Sequence, residues 1–106
     1  GPSEATLILQ VGTERFEQRN LSLTARARAA ELEIRASVTF SLQLGERWLV
    51  EVETLTVVDQ MLNDPLNVVG KTEELRLLQA ELRTTLVEAL TRRIDYRLAA
   101  DNADKA

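Results

Sequence analysis

The sequence contains neither cysteine nor histidine. Without cysteine there is no disulfide framework, thiol nucleophile or thiolate metal site, and a zero count does not identify the redox compartment. Without histidine the chain lacks the commonest general base near neutral pH and the commonest metal ligand. Catalysis would have to rest on carboxylates, lysine, serine or threonine. A carboxylate-dependent hydrolase is the enzyme reading left, and it lacks a nucleophile motif and a glycine-rich phosphate loop, so the chain is read as a non-enzyme that needs no cofactor. Aromatic residues make up only 4% of the chain, two Phe, one Tyr and one Trp, so the core has to be aliphatic. No apolar run approaches the ~20 residues that a membrane helix needs. An excess of basic charge is missing too: a net charge of −4 offers no electrostatic footprint for nucleic acid. The chain does not open on a signal-peptide pattern. Gly1-Pro2-Ser3 reads as the remnant of a cleaved expression tag, so the native start, with any targeting signal or lipid anchor, is expected upstream.

What is present is enough for one domain. The chain has 106 residues, 44% apolar and 28% charged, and its periodicities argue against disorder. Over residues 6–24 the odd positions Leu7, Leu9, Val11, Leu21 and Leu23 are apolar, with Ile8 and Phe16 on the other face. This predicts one long strand, bent or bulged at Gly12. Over residues 29–44 the even positions are apolar and the odd ones polar, a strand with one dry and one wet face. The continuous odd phase puts the first turn at residues 25–28 and not at Asn20. Gly45 marks the second turn. A third strand follows over residues 48–58, with Trp48, Val50 and Val52 on one face, Glu51 and Glu53 on the other, and a phase slip near Thr54.

Asn63-Asp64-Pro65 breaks the strand pattern and residues 67–70 read as connector. A helix is predicted over residues 72–98, with Thr72 as N-cap and Glu73 and Glu74 favouring the positive end of its dipole. Leu75, Leu78, Leu82, Leu86, Ala89 or Leu90, Ile94 and Leu98 form its apolar stripe, and Arg92, Arg93 and Arg97 sit in its last turns. The expected fold is α+β, an antiparallel three-stranded meander with a long C-terminal helix packed on one face. Residues 1–5 form the tag remnant and start, 6–98 a single sheet-plus-helix domain, and 99–106 a flexible polar tail.

The run Asn63-Asp64-Pro65, Lys71-Thr72-Glu73-Glu74, Glu81-Leu82 and Leu90-Thr91-Arg92-Arg93-Ile94, after three long strands, resembles the lipopolysaccharide-assembly lipoprotein family LptE over residues 6–98. In that family an Asn/Asp-Pro turn precedes a Lys-x-x-Glu helix start, and the helix closes on a Leu-x-basic-basic-aliphatic run. Met61 and Leu62 stand where the family carries aromatics. The resemblance implies an outer-membrane lipoprotein on the periplasmic side that plugs the lumen of the LptD barrel and helps it deliver lipopolysaccharide. The family's lipidated cysteine, first strand and first helix do not precede Thr6 here. The chain is therefore expected to be a remnant of a two-helix, four-strand sandwich, able to self-associate through uncovered surface. A generic periplasmic scaffold with unrelated partners is the competing reading.

Three cations are the candidate lipopolysaccharide-binding residues. Arg26 and Arg28 fall where the first hairpin turns, and two guanidiniums at an exposed tip suit bidentate contact with lipid A phosphates. The competing reading is a solvated turn whose charges block edge pairing. Lys71 matches a family lysine ahead of the helix that is associated with lipopolysaccharide binding, where backbone N–H groups also favour an anion. Its alternative is a surface pair with Glu73 or Glu74. Glu51 and Glu53 are read as a wet sheet face, with no metal or acid–base role.

Overall fold

In a computed structural model that describes residues 6–23, 30–63 and 68–104, the alternating run at 30–44 becomes the central strand of a four-stranded antiparallel sheet. The elements in chain order are β1 (Leu7–Val11), β2 (Arg15–Leu23), β3 (Ala30–Leu44), β4 (Arg47–Asn63) and α1 (Val68–Asp104). β4 pairs with β3 along its whole length, while β1 and β2 lie end to end on the other edge of β3. The fold is α+β as expected, with the first long strand broken in two. The break is residues 12–14. Gly12 donates its N–H to Thr39 O at 2.7 Å, and a Cβ there would approach that carbonyl to 3.1 Å. Only a glycine lets the backbone come this close without displacing β3.

The break adds one residue to the register. Leu7 pairs with Leu44, but after the break Phe16 pairs with Ala36. Even-numbered residues of β2 therefore share the face that odd-numbered residues hold in β1. Phe16 turns onto the helix-side face and packs against the core, and does not lie on the opposite face as the uninterrupted phase implies. A second shift between Asn20 and Ser22 restores the odd phase, and Leu23 pairs with Ala30. That pairing agrees with a hairpin turning beyond Leu23; residues 24–29, Arg26 and Arg28 among them, lie outside the described residues.

β4 also runs longer and slips earlier than its sequence implies. Phe40 pairs with Glu53, Leu42 with Val50 and Gln43 with Trp48, so β4 carries two extra residues between Trp48 and Glu53. Leu49 and Val50 are buried, whereas Trp48 and Val52 stand out exposed. The single face predicted for Trp48, Val50 and Val52 is split by these bulges. The β3–β4 turn uses Gly45 at φ 63°, in the left-handed region that a side chain disfavours.

α1 covers the even face of β3 and the matching face of β4. Leu32, Ile34, Ala36 and Val38 pack with Leu82 and Leu86, flanked by Leu75 and Leu78. Phe40, Leu42, Leu49 and Val50 form a second cluster against Leu90, Ile94 and Leu98. Every leucine and isoleucine of the predicted stripe contacts this core. The helix is longer than predicted at both ends: residues 68–70 are helical rather than connector, and Thr72 is inside the helix rather than its cap. Its far end runs through Asp104 in place of a frayed tail, with Asp101 only 8% exposed and held by Arg47 at 2.9 Å. The molecule is a rod of 66 × 22 × 17 Å.

Candidate functional site

The sheet has two ends. At one, Leu23, Ala30 and Asn63 come into register, and α1 begins five residues later at Val68. The β2–β3 connection and the start of α1 therefore leave from the same pole of the rod. Lys71 sits in the first turn of α1, half-buried, and not ahead of the helix as the sequence suggested. Among the described residues no carboxylate pairs with it. Glu73, one of its two expected partners, is instead taken by Arg76 at 2.6 and 3.3 Å. The Arg76 hydrogen bond holds the Glu73 carboxyl below the usual glutamate range. A lysine ammonium beside the positive end of a helix dipole is unfavourable for the helix alone and is relieved by an anion.

The face of the sheet away from α1 carries a second group of charges near this pole, which the sequence reading passed over. Cross-strand register sets Glu17 beside Arg35 and Arg19 beside Glu33. Glu33 is 8% exposed and accepts from Arg35 at 2.7 and 3.2 Å and from Arg19 at 3.4 Å. Its hydrogen bond with Arg35, reinforced by the charge of Arg19, outweighs desolvation and lowers its pKa. The signal was present in the alternating charges of residues 15–19 and 31–35, but the faces could be matched only once the register was known. Arg19 and Arg35 are committed to Glu33, so they serve the sheet first.

Polar clamps fix the helix to the sheet. Arg93 holds Glu53 through two nitrogens at 2.6 and 2.7 Å and lies over the ring of Tyr96 at 5.5 Å. Glu53 pairs with Phe40, whose side chain lies in the helix-side core, so Glu53 faces the helix and the wet-face reading for it is corrected. Arg97 donates to Leu49 O, the carbonyl of a residue that β4 bulges out of the ladder. Arg83 reaches across to Glu14 at 2.7 and 2.9 Å and covers Phe16 at 5.7 Å. Arg93 and Arg97, expected at the helix end to match its dipole, are drawn to β4, and the last turn of α1 contains no basic residue.

Among the described residues no group of three or more carboxylates could hold a metal ion. No described helix is long and apolar enough to cross a membrane.

Comparison with known proteins sets this rod in context. The family model for LptE, described as lipopolysaccharide-assembly, matches residues 1–94. Among solved structures, rare lipoprotein B from Shewanella oneidensis superposes with a TM-score of 0.75 at 23% identity, over 94% of this chain and 73% of that one. At that identity the likeness speaks for the fold. No curated protein sequence matches the chain.

Proposed function

From the premise that the chain belongs to the lipopolysaccharide-assembly family LptE, we propose that it plugs the LptD barrel in the outer membrane and binds lipopolysaccharide during delivery to the cell surface. It works from the periplasmic side, held by a lipid anchor in the native protein. Arg26, Arg28 and Lys71 supply the cations for lipid A phosphates. The observation that carries this reading is the family match over residues 1–94. A slim rod of 22 × 17 Å cross-section suits a lumen. Leu23 and Ala30 come into register at the pole where α1 begins, which supports a common site for the three cations.

The whole-molecule charge of −4 opposes an anionic glycolipid, so attraction has to come from local cations. Binding then weakens steeply as salt rises past ~0.15 M, where screening acts over ~8 Å. Charge reversal of Arg26, Arg28 and Lys71 together abolishes lipopolysaccharide capture while the fold and barrel co-purification persist. Capture by the triple variant equal to that of the parent would remove the cationic site. Failure to co-purify with the barrel would favour a periplasmic scaffold with other partners.

A further inference from the structure

Among the described residues the outer edge of β4 pairs with no other strand. From Glu53 to Asn63 the strand lies in unbroken register with β3, and its register shifts are confined to the end before Glu53. Residues 54–63 contain no proline, lysine or arginine, and Asp59 is their only charge. Exposed edges are ordinarily blunted by lysine, proline or a bulge. This stretch has none of the three, and Thr54, Thr56, Val57 and Val58 favour extended backbone. It is open to a further strand.

A hollow of about 200 Å³ between this edge and α1 is lined by Gln60, Met61, Glu74, Leu77, Leu78 and Glu81. Met61 and Leu78 are half-buried and Leu77 is exposed, which gives the hollow an apolar floor. Glu74 and Glu81 are separated by about two helical turns, so they share a flank of α1, and Glu88 extends the row by the same step. All three carboxylates are exposed and form no ion pair among the described residues. Asp59 adds a fourth on the helix side, since it pairs with Ile34 of the core, and it accepts the Gln60 N–H at 2.8 Å rather than a cation. Lys71 and Arg92 bracket the row at its two ends without pairing with it.

An open strand edge beside an apolar groove with a row of bare carboxylates selects its partner by charge. Phosphates and anionic headgroups are repelled by the row. A second copy is disfavoured as well. Antiparallel pairing of β4 with its own copy continues one sheet, sets both helices on the same side and brings the two acidic rows toward each other. We propose that β4 receives an extended basic segment of a partner protein as a further strand. Its apolar side chains cover Met61, Leu77 and Leu78, and its lysines or arginines meet Glu74 and Glu81. Same-face positions four residues apart lie ~14 Å apart on a strand, and the two glutamates ~10 Å apart along the helix. The flexible stem of a lysine spans the difference. This interaction goes beyond lipopolysaccharide assembly and does not depend on it.

The test titrates the full, isotopically labelled chain at low salt with the end-capped peptide Thr-Lys-Thr-Val-Thr-Lys-Thr-Val-Thr, whose lysines and valines share one face. The amide signals of residues 54–62 and of Leu77 and Leu78 shift saturably, with Kd on the order of 0.1–1 mM. Glu74→Gln combined with Glu81→Gln leaves the melting temperature unchanged and weakens binding about fivefold. Two further peptides, each methylated on one alternate set of backbone nitrogens, keep the charge and the side chains; one binds and the other does not, because only one set faces β4. Equal binding of the two methylated forms overturns strand addition. Equal binding of the peptide with glutamate in place of lysine overturns the basic partner. Shifts of β4 with protein concentration alone, and none with peptide, make the occupant a second copy and overturn the proposal. Shifts confined to β1 or β2 overturn it by placing the added strand on the other edge. No response to any peptide overturns it outright, and because no lipopolysaccharide enters the measurement, the assembly role is left standing.

Discussion

Arg93 grips Glu53 with both arms of its guanidinium, 40 residues apart in sequence, and so ties the second half of α1 to β4. The Arg93 hydrogen bond is the largest influence on the Glu53 carboxyl and lowers its pKa from the ordinary 4.5, against a smaller opposing desolvation. A carboxyl whose pKa is lower in the folded state adds stability that is fully present above its unfolded value. That stability is lost as pH falls through the folded value. Glu53→Gln is therefore expected to lower the urea midpoint at neutral pH, with the gap to the parent closing as the pH drops below 4.5. A gap that stays constant from about pH 7 down to pH 3 would show that the pair contributes through packing and not through charge. Glu33 and Glu73, also lowered by arginine partners, act in the same direction.

At the scale of the element, α1 is held by one face. Leu82 is 4% exposed between the two halves of the helix, against Ile34, Ala36 and Val38. Leu82→Ala should destabilise by ~2–5 kcal/mol, the range for truncating a buried leucine whose cavity cannot fully collapse. Leu77, five residues away but 54% exposed, gives the contrast: Leu77→Ala should stay within about 0.5 kcal/mol. Denaturant midpoints with unchanged slope are the measurement. Similar losses for the two variants would mean that the buried face of α1 has been misassigned. The leucine stripe was legible in the sequence because helical spacing survives any small error in the ends. The ends were not, because Arg47 secures Asp101 from 54 residues away.

At the scale of the whole molecule, the rod leaves apolar surface uncovered. Leu7, Ile8, Leu9 and Val11 are each between 42 and 51% exposed, and among the described residues the outer edge of β4 pairs with no other strand. An unpaired edge and a contiguous apolar strand both favour association. We expect the chain to self-associate with rising concentration, measured by light scattering. The amide signals of β1 or β4 should shift as it does. A monomer at the highest concentration reached would mean that these surfaces are satisfied in isolation.

By itself the sequence determined the order of elements, the dry face of β3, the apolar stripe of α1 and the likeness to the LptE family. Each is a local repeat or a run of neighbouring residues, and repeats of two or of three to four survive in the chain without a partner to read them against. Tertiary structure alone decided the phase of the edges. One extra residue at 12–14 brought Phe16 to the core, and the first of two between Trp48 and Glu53 turned Val50 inward, apart from the outward Trp48. A bulge flips every side chain beyond it, yet it is marked in sequence by no more than one glycine or by nothing. Its position follows from pairing with a strand that lies elsewhere in the chain.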